Sequence, residues 1–262
     1  GVSICSLLEN NKAAESINIY VIDDSIGAQN KEMLSAMVCT YGRNLIFLSG
    51  AEILSRREIT EPFAYKGMRK NVHSYLKLFL SDILTELHGK ILYIDCDTAV
   101  TDDLSGLLSI NMEGKALGMV IDSLITADKA PIDGLKCRKY YNSGVMLVDL
   151  DRWRQLHCPE RILNHARTVR TYGTVDQDLL NAVLGNETMT LPVRYNLQPI
   201  HLDYSYREYI KVFKHKEAYY TKEEIDEAVE SPGIIHYLRY IGEYPWHAGN
   251  VHPGTLYFDR YL

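Results

Sequence analysis

The 262-residue chain has little of what assigns a protein at a glance. Its five cysteines, at 5, 39, 96, 137 and 158, include no C-x-x-C pair, so neither a zinc ribbon nor a disulfide framework is suggested. The plain reading is a reducing, cytoplasmic setting. No apolar run is long enough to span a bilayer, and no charged start with an apolar middle reads as a signal peptide. A net charge of −6 without a clustered basic stripe argues against a nucleic-acid partner. No repeat of fixed period and no low-complexity linker divides the chain, so 1–262 reads as a single domain. Phenylalanine is scarce, five against nineteen tyrosines, a skew that suits surfaces stacking on or hydrogen-bonding to polar ligands. Both ends look cut. "GVSICSLLENN" opens inside an apolar-periodic helix and "LYFDRYL" stops without a tapering tail, so an excerpt of something longer is expected.

Apolar runs alternate with longer helical patterns. Strands are predicted at 17–24, 44–49, 90–95, 116–122, 143–150 and 233–238, and helices at 2–11, 29–41, 72–88, 159–171, 176–184 and 221–230. This alternation predicts an α/β fold with a mostly parallel sheet and helices on both faces. The polar, aromatic stretch 195–220 reads as a lid or insertion.

Several strands end in carboxylates: Asp23-Asp24, Asp95 and Asp122. Ligands of open parallel sheets bind outside the carboxyl ends of the strands, so three acidic ends on one rim would ask for a cation, with magnesium, manganese or calcium the suitable ones. In "ILYIDCDTAV" the run Ile91–Ile94 reads as a buried strand, and strand alternation would turn Asp95 and Asp97 to one side and Cys96 to the other. Either the two charges are splayed in solvent, or something positive sits between them. Asp102-Asp103 has a blander reading, because Thr101 or Asp102 precedes a short helical pattern as an N-cap would. His236 closes the run "PGIIHY" and is either a satisfied structural histidine or a partner to carboxylates on a metal. Asn142-Ser143-Gly144 is a turn feeding a strand unless its amide and hydroxyl reach the same rim. Asp176 and Asp178 suit the first turn of a helix through its dipole, which leaves Gln177 between them unexplained. "GEYPWHAGN" reads as an ordered loop with a packed Trp246, or as a loop that covers a ligand.

Taken together, "GVSICSLLENN", "SYLKLFLSDIL", "KILYIDCDTAVTDDLSGLL", "YYNSGVMLVDLDRWR", "VDQDLLNAVL" and "IIHYLRYIGEYPWHAGN" resemble, in order and over nearly the whole chain, glycosyltransferase family 8. These are retaining nucleotide-sugar transferases, among them bacterial lipopolysaccharide galactosyl- and glucosyltransferases and the glycogenins. The resemblance implies a GT-A fold, a Rossmann-like sheet carrying a D-x-D motif for Mn²⁺, with Mg²⁺ the alternative. It implies Asp95, Asp97 and His236 as metal ligands, with Cys96 beside them at the nucleotide. Asp122, Asn142 and Ser143 would line the donor-sugar pocket, Asp176 and Gln177 would sit beside the sugar, and Lys77 would stand where the family has arginine. The implied reaction is retaining transfer of glucose or galactose from UDP-glucose or UDP-galactose to a glycan, glycolipid or glycoprotein. The setting implied is the cytoplasm, with peripheral contact at the inner membrane face in related enzymes through a basic C-terminal tail that this sequence does not include.

The chain departs from that pattern in three places. The family's first strand is absent before Gly1, and Asp23-Asp24 do not replace it. Lys77 keeps the charge of the arginine but loses its bidentate fork. The closing motif has a longer spacer, containing Arg239 and Gly242, and Tyr244 stands where a cation precedes Pro245-Trp246; Arg239 is the candidate replacement. The lost cation leaves a second reading, a nucleotide-sugar-binding protein impaired in transfer. A third, a metal-dependent phosphohydrolase, needs a nucleophile or second metal cluster that the His and Asp positions do not supply.

Overall fold

The computed structural model describes residues 1–59, 72–125, 139–168, 174–214, 219–240 and 243–262. Cys137 and Gly242 lie outside them. The strands are β1 (Asn18–Asp23), β2 (Asn44–Ser49), β3 (Lys90–Ile94), β4 (Thr98–Val100), β5 (Leu117–Ile121), β6 (Tyr141–Asp149), β7 (Thr188–Thr190) and β8 (Ile234–His236). The helices are α1 (Val2–Asn10), α2 (Ala28–Thr40), α3 (Gly50–Arg56), α4 (Ser105–Ser109), α5 (Leu150–Gln155), α6 (Cys158–Thr168), α7 (Val175–Leu184), α8 (Pro199–Asp203), α9 (Tyr206–Phe213), α10 (Lys222–Glu230) and α11 (Thr255–Asp259). None of the described helices is long and apolar enough to cross a membrane.

The central sheet has the order β3-β6-β5-β7. β6 is antiparallel to both β3 and β5, and β5 is parallel to β7, so β3, β5 and β7 share one direction and β6 alone runs against it. This reversal matters for the site. It brings the start of β6 level with the ends of its neighbours, pairing Val145 with Ile94 and Asn142 with Val120. A separate parallel pair, β1-β2, lies to one side, and β4 pairs antiparallel with β8. Among the described residues β1 has no ladder partner but β2, and β3 none but β6.

Local chemistry accounts for many boundaries. Asp149 ends β6 and caps α5 by accepting from the Arg152 amide at 2.9 Å. Thr221 and Glu224 close a capping box at the start of α10, as Ser205 and Glu208 do for α9. The core lies where β5 and β6, buried along nearly their whole length, meet α6, α7 and the segment Val72–Asp82.

Four expectations are corrected. The segment predicted as a helix over 72–88 is a 3₁₀ run, Val72–Asp82, broken at Phe79, with Tyr75, Leu76, Leu78, Phe79 and Leu80 all buried and the charged Lys77 enclosed among them. β3 is only half-buried from Ile91 to Ile94, and among the described residues it is an edge strand. Neither Thr101 nor Asp102 caps α4: its N-cap is Leu104, and it is the Asp103 carboxylate that accepts from the Ser105 amide, while Asp102 pairs with Arg194. The stretch read as a lid is integral to the fold where it begins, with Tyr195, Asn196, Leu197 and Gln198 all buried.

Candidate functional site

A cleft of about 400 Å³ opens at the rim where β3 ends and β6 begins. Its lining includes Lys77, Asp95, Asp97, Ser143, Gln177 and His236. Sequence spacing suggested that Asp95 and Asp97 share a face because both lie in a strand. The structure brings them together differently: β3 stops at Ile94, and the two carboxylates sit in the turn that leads to β4. The Thr98 hydroxyl ties that turn by donating to the Asp95 carbonyl at 2.8 Å, and the Asp95 amide donates to the Gly144 carbonyl at 2.7 Å. β4 then pairs with β8 in a register that sets Thr98 opposite His236. This long-range pairing delivers the imidazole beside Asp97, its Nε2 at 3.3 Å from Oδ1.

Ligand atoms of Asp95, Asp97 and His236 all lie within 4.8 Å of one another, the one such group found among the described residues. Two carboxylate oxygens and an imidazole nitrogen suit a divalent cation such as manganese or magnesium, and they could hold one here. His236 is fully enclosed, and its ring rests on bare backbone: a Cβ on Gly144 would lie 2.0 Å from its Cε1. Burial disfavours the charged ring, yet the adjacent Asp97 and Asp95 outweigh it and raise the His236 pKa above its ordinary value. Burial likewise works against the Asp97 carboxylate, and the contact with His236 reverses this and lowers its pKa.

Lys77 occupies the centre of the site. Its ammonium lies 2.7 Å from Asp176 Oδ2 and 3.4 Å from Asp95 Oδ1, and donates to the Ser143 carbonyl and hydroxyl at 3.2 Å each. Burial penalises the charge, but the two carboxylates prevail and hold the Lys77 pKa well above the usual lysine value. The Tyr93 hydroxyl donates to Asp95 at 2.6 Å, and Ser143 Oγ donates to Asp176 at 3.0 Å.

Gln177 is fixed at both ends of its amide: Oε1 accepts from the Ser143 backbone at 3.1 Å, and Nε2 donates to Asp122 Oδ2 at 3.1 Å. Asp122 is buried and does not face the cleft. Its Oδ1 accepts from the Leu124 and Ile125 amides, and its Oδ2 also accepts from Asn142 at 3.0 Å. Of the acidic strand ends, Asp24 and Asp95 line the cleft, whereas Asp23 caps the turn at Ile26 and pairs with Lys31. Cys96 is exposed and outside the lining, as is Arg239. Tyr244 stacks on Trp246 with ring centroids 4.5 Å apart. Sequence reasoning missed Asn196, which bridges His236 and Asn142; nothing sets it apart from the other polar residues of "VRYNLQP".

Similarity to known proteins agrees with this geometry. General stress protein A of Bacillus subtilis (strain 168) is 26% identical over 267 residues, covering 100% of this chain and 86% of that protein. Lipopolysaccharide 1,2-glucosyltransferase of Escherichia coli (strain K12) is 26% identical over 262 residues, covering 98% of this chain and 72% of its own. Among solved structures, the galactosyltransferase LgtC, in complex with donor and acceptor sugar analogs, superposes with a TM-score of 0.68 at 21% identity, covering 98% of this chain and 89% of LgtC. LgtC has also been solved as an active-site mutant with glutamate in place of a glutamine. The fold is therefore the GT-A fold of these glycosyltransferases. The family model "Glycosyl transferase family 8" matches residues 1–249, a span that holds the cleft and every side chain lining it, and the chain belongs to that family.

Proposed function

We propose that this chain transfers a hexose, glucose or galactose, from a UDP-sugar to a glycan, glycolipid or glycoprotein acceptor, with a divalent cation, Mn²⁺ or Mg²⁺, held by Asp95, Asp97 and His236. The convergence of those three ligands on a cleft that also contains Lys77, Asp176 and Gln177 carries the reading. A cation bound there supplies charge neutralisation for the diphosphate of a departing UDP. Lys77 stays protonated and adds a fixed positive charge close to the same place. Asn142 and Ser143 sit where a donor sugar enters the cleft, and Asp122 acts on it through the amides of Asn142 and Gln177.

In LgtC a glutamine belongs to the active site, and Gln177 is the glutamine facing this cleft among the described residues. An amide oxygen is barely nucleophilic, and this one already accepts from the Ser143 amide. Retention is therefore assigned to departure and attack on one face of an oxocarbenium-like sugar; a product of inverted anomeric configuration would sink that assignment.

Titrating UDP into the protein by calorimetry, with and without Mn²⁺, tests the site. Binding should need the metal and vanish in Asp95→Ala. Because a proton on His236 competes with the cation, Mn²⁺ affinity should fall as pH drops through its raised pKa. One observation favours a binder impaired in transfer. Lys77 is the sole Lys or Arg lining the cleft among the described residues, and it is already paired with Asp176 and Asp95. A UDP-sugar hydrolysis screen separates the two readings: turnover supports the transferase, and tight UDP binding without turnover supports the binder.

A further inference from the structure

The orientation of the buried amides behind the cleft can be read without ambiguity, because the network ends on groups whose hydrogen-bonding roles are fixed. Asp122 Oδ2 only accepts, so the Asn142 atom 3.0 Å away is the NH₂ group. The backbone amide of Gly144 only donates, so the other Asn142 atom, 3.0 Å from it, is the carbonyl oxygen. Asn196 lies 2.9 Å from that oxygen and must present its own NH₂, which turns the Asn196 carbonyl oxygen toward His236 Nδ1 at 3.1 Å. A proton must therefore sit on Nδ1. The opposite nitrogen, Nε2, faces Asp97.

From this network we infer that Asn196 is a positioning residue, one that holds the proton of neutral His236 on Nδ1 and so leaves Nε2, the nitrogen facing Asp97 and Asp95, as the one that would take a cation. The instruction originates at Asp122, whose carboxylate orders Asn142, and through it Asn196 and the imidazole. The same carboxylate oxygen also orders the amide of Gln177. A single buried anion, out of contact with the cleft, thus sets the presentation of a candidate metal ligand and of the candidate catalytic amide. Asn196 and Asn142 are 0% and 4% exposed, so water does not compete for these bonds. The inference rests on the reading of Asp95, Asp97 and His236 as a cation site.

Long-range ¹⁵N–¹H correlation spectra of the histidine rings, recorded at a pH where the ring is neutral and assigned by the loss of one ring in His236→Gln, read the tautomer directly. Wild type should show Nδ1–H at His236. In Asn196→Ala the proton should move to Nε2, where Asp97 accepts it, and Mn²⁺ affinity followed by electron paramagnetic resonance should fall about tenfold to a hundredfold. Asn196→Asp keeps an acceptor for Nδ1–H and should keep the tautomer, while its second oxygen, set against the Asn142 carbonyl oxygen, should lower stability. A folded Asn196→Ala protein with unchanged tautomer and affinity would overturn the inference. Were that variant not to fold, an Nε2–H pattern in wild type would overturn it equally. The tautomer is read without any sugar nucleotide, so a failure of the transfer reaction would leave this result standing.

Discussion

The two halves of the cleft are built to different standards. On one side, β5 is buried at every position and β6 at all but its last, and α7 packs against β6. On the other, α2 buries Val38 alone of its thirteen residues and β2 buries only Leu48. The well-packed side carries Asn142, Ser143, Gly144, Asp176 and Gln177; the thinly packed side contributes Ile22 and Asp24 to the lining. Side chains that must be held to fractions of an ångström stand where neighbours leave them one rotamer. The opposite wall has fewer buried contacts and opens locally at lower cost.

That contrast can be broken at three levels. The largest effect belongs to Lys77→Met, which leaves Asp176 and Asp95 facing each other without the ammonium between them. Removing one partner from so enclosed a charge cluster should cost about 3–5 kcal/mol in denaturant unfolding, and UDP-sugar turnover should be lost with it. Unchanged stability would show that the two carboxylates separate freely, and that this side is less rigid than its burial implies. The next level compares like with like: Val145 on β6 and Val38 on α2 are both essentially fully buried. Valine-to-alanine should cost about 2–3 kcal/mol at Val145 and about half as much at Val38, where the small cluster of Leu8, Ile19 and Val38 can collapse around the gap. Equal losses would erase the distinction. The smallest effect is Met33→Ala on the exposed face of α2, which should shift unfolding by no more than about 0.5 kcal/mol.

Much of the fold could be read from local sequence, because β1, β2, β5 and β6 each lie on an apolar run and α10 carries its own capping box. The Asp95-x-Asp97 pair was visible as chemistry, since two carboxylates so close after an apolar run call for a counter-charge. Its geometry was not. The turn after Ile94 and the three-residue pairing of β4 with β8 depend on contacts between residues far apart in sequence, and strands this short carry no period. The direction of β6 was equally hidden, because an apolar run does not say which way it points; Asn142 and Ser143 were therefore undecided until the reversed strand placed them on the rim. Lys77 came to attention through family resemblance, whereas His236 was already a candidate at the end of its apolar run. Asn196 came through neither route, since an amide in a polar and aromatic stretch has no pattern of its own.

The reversal of β6 has a consequence for how the site responds to mutation. Because the strand enters at the rim, its main chain, and not only its side chains, faces the functional groups. The Ser143 amide holds Gln177 and its carbonyl holds Lys77, while the Gly144 amide orders Asn142 and its carbonyl takes the Asp95 amide. No substitution at 143 other than proline deletes the amide of that residue, and none deletes its carbonyl. The site thus has a scaffold that side-chain substitution at 143 leaves largely in place.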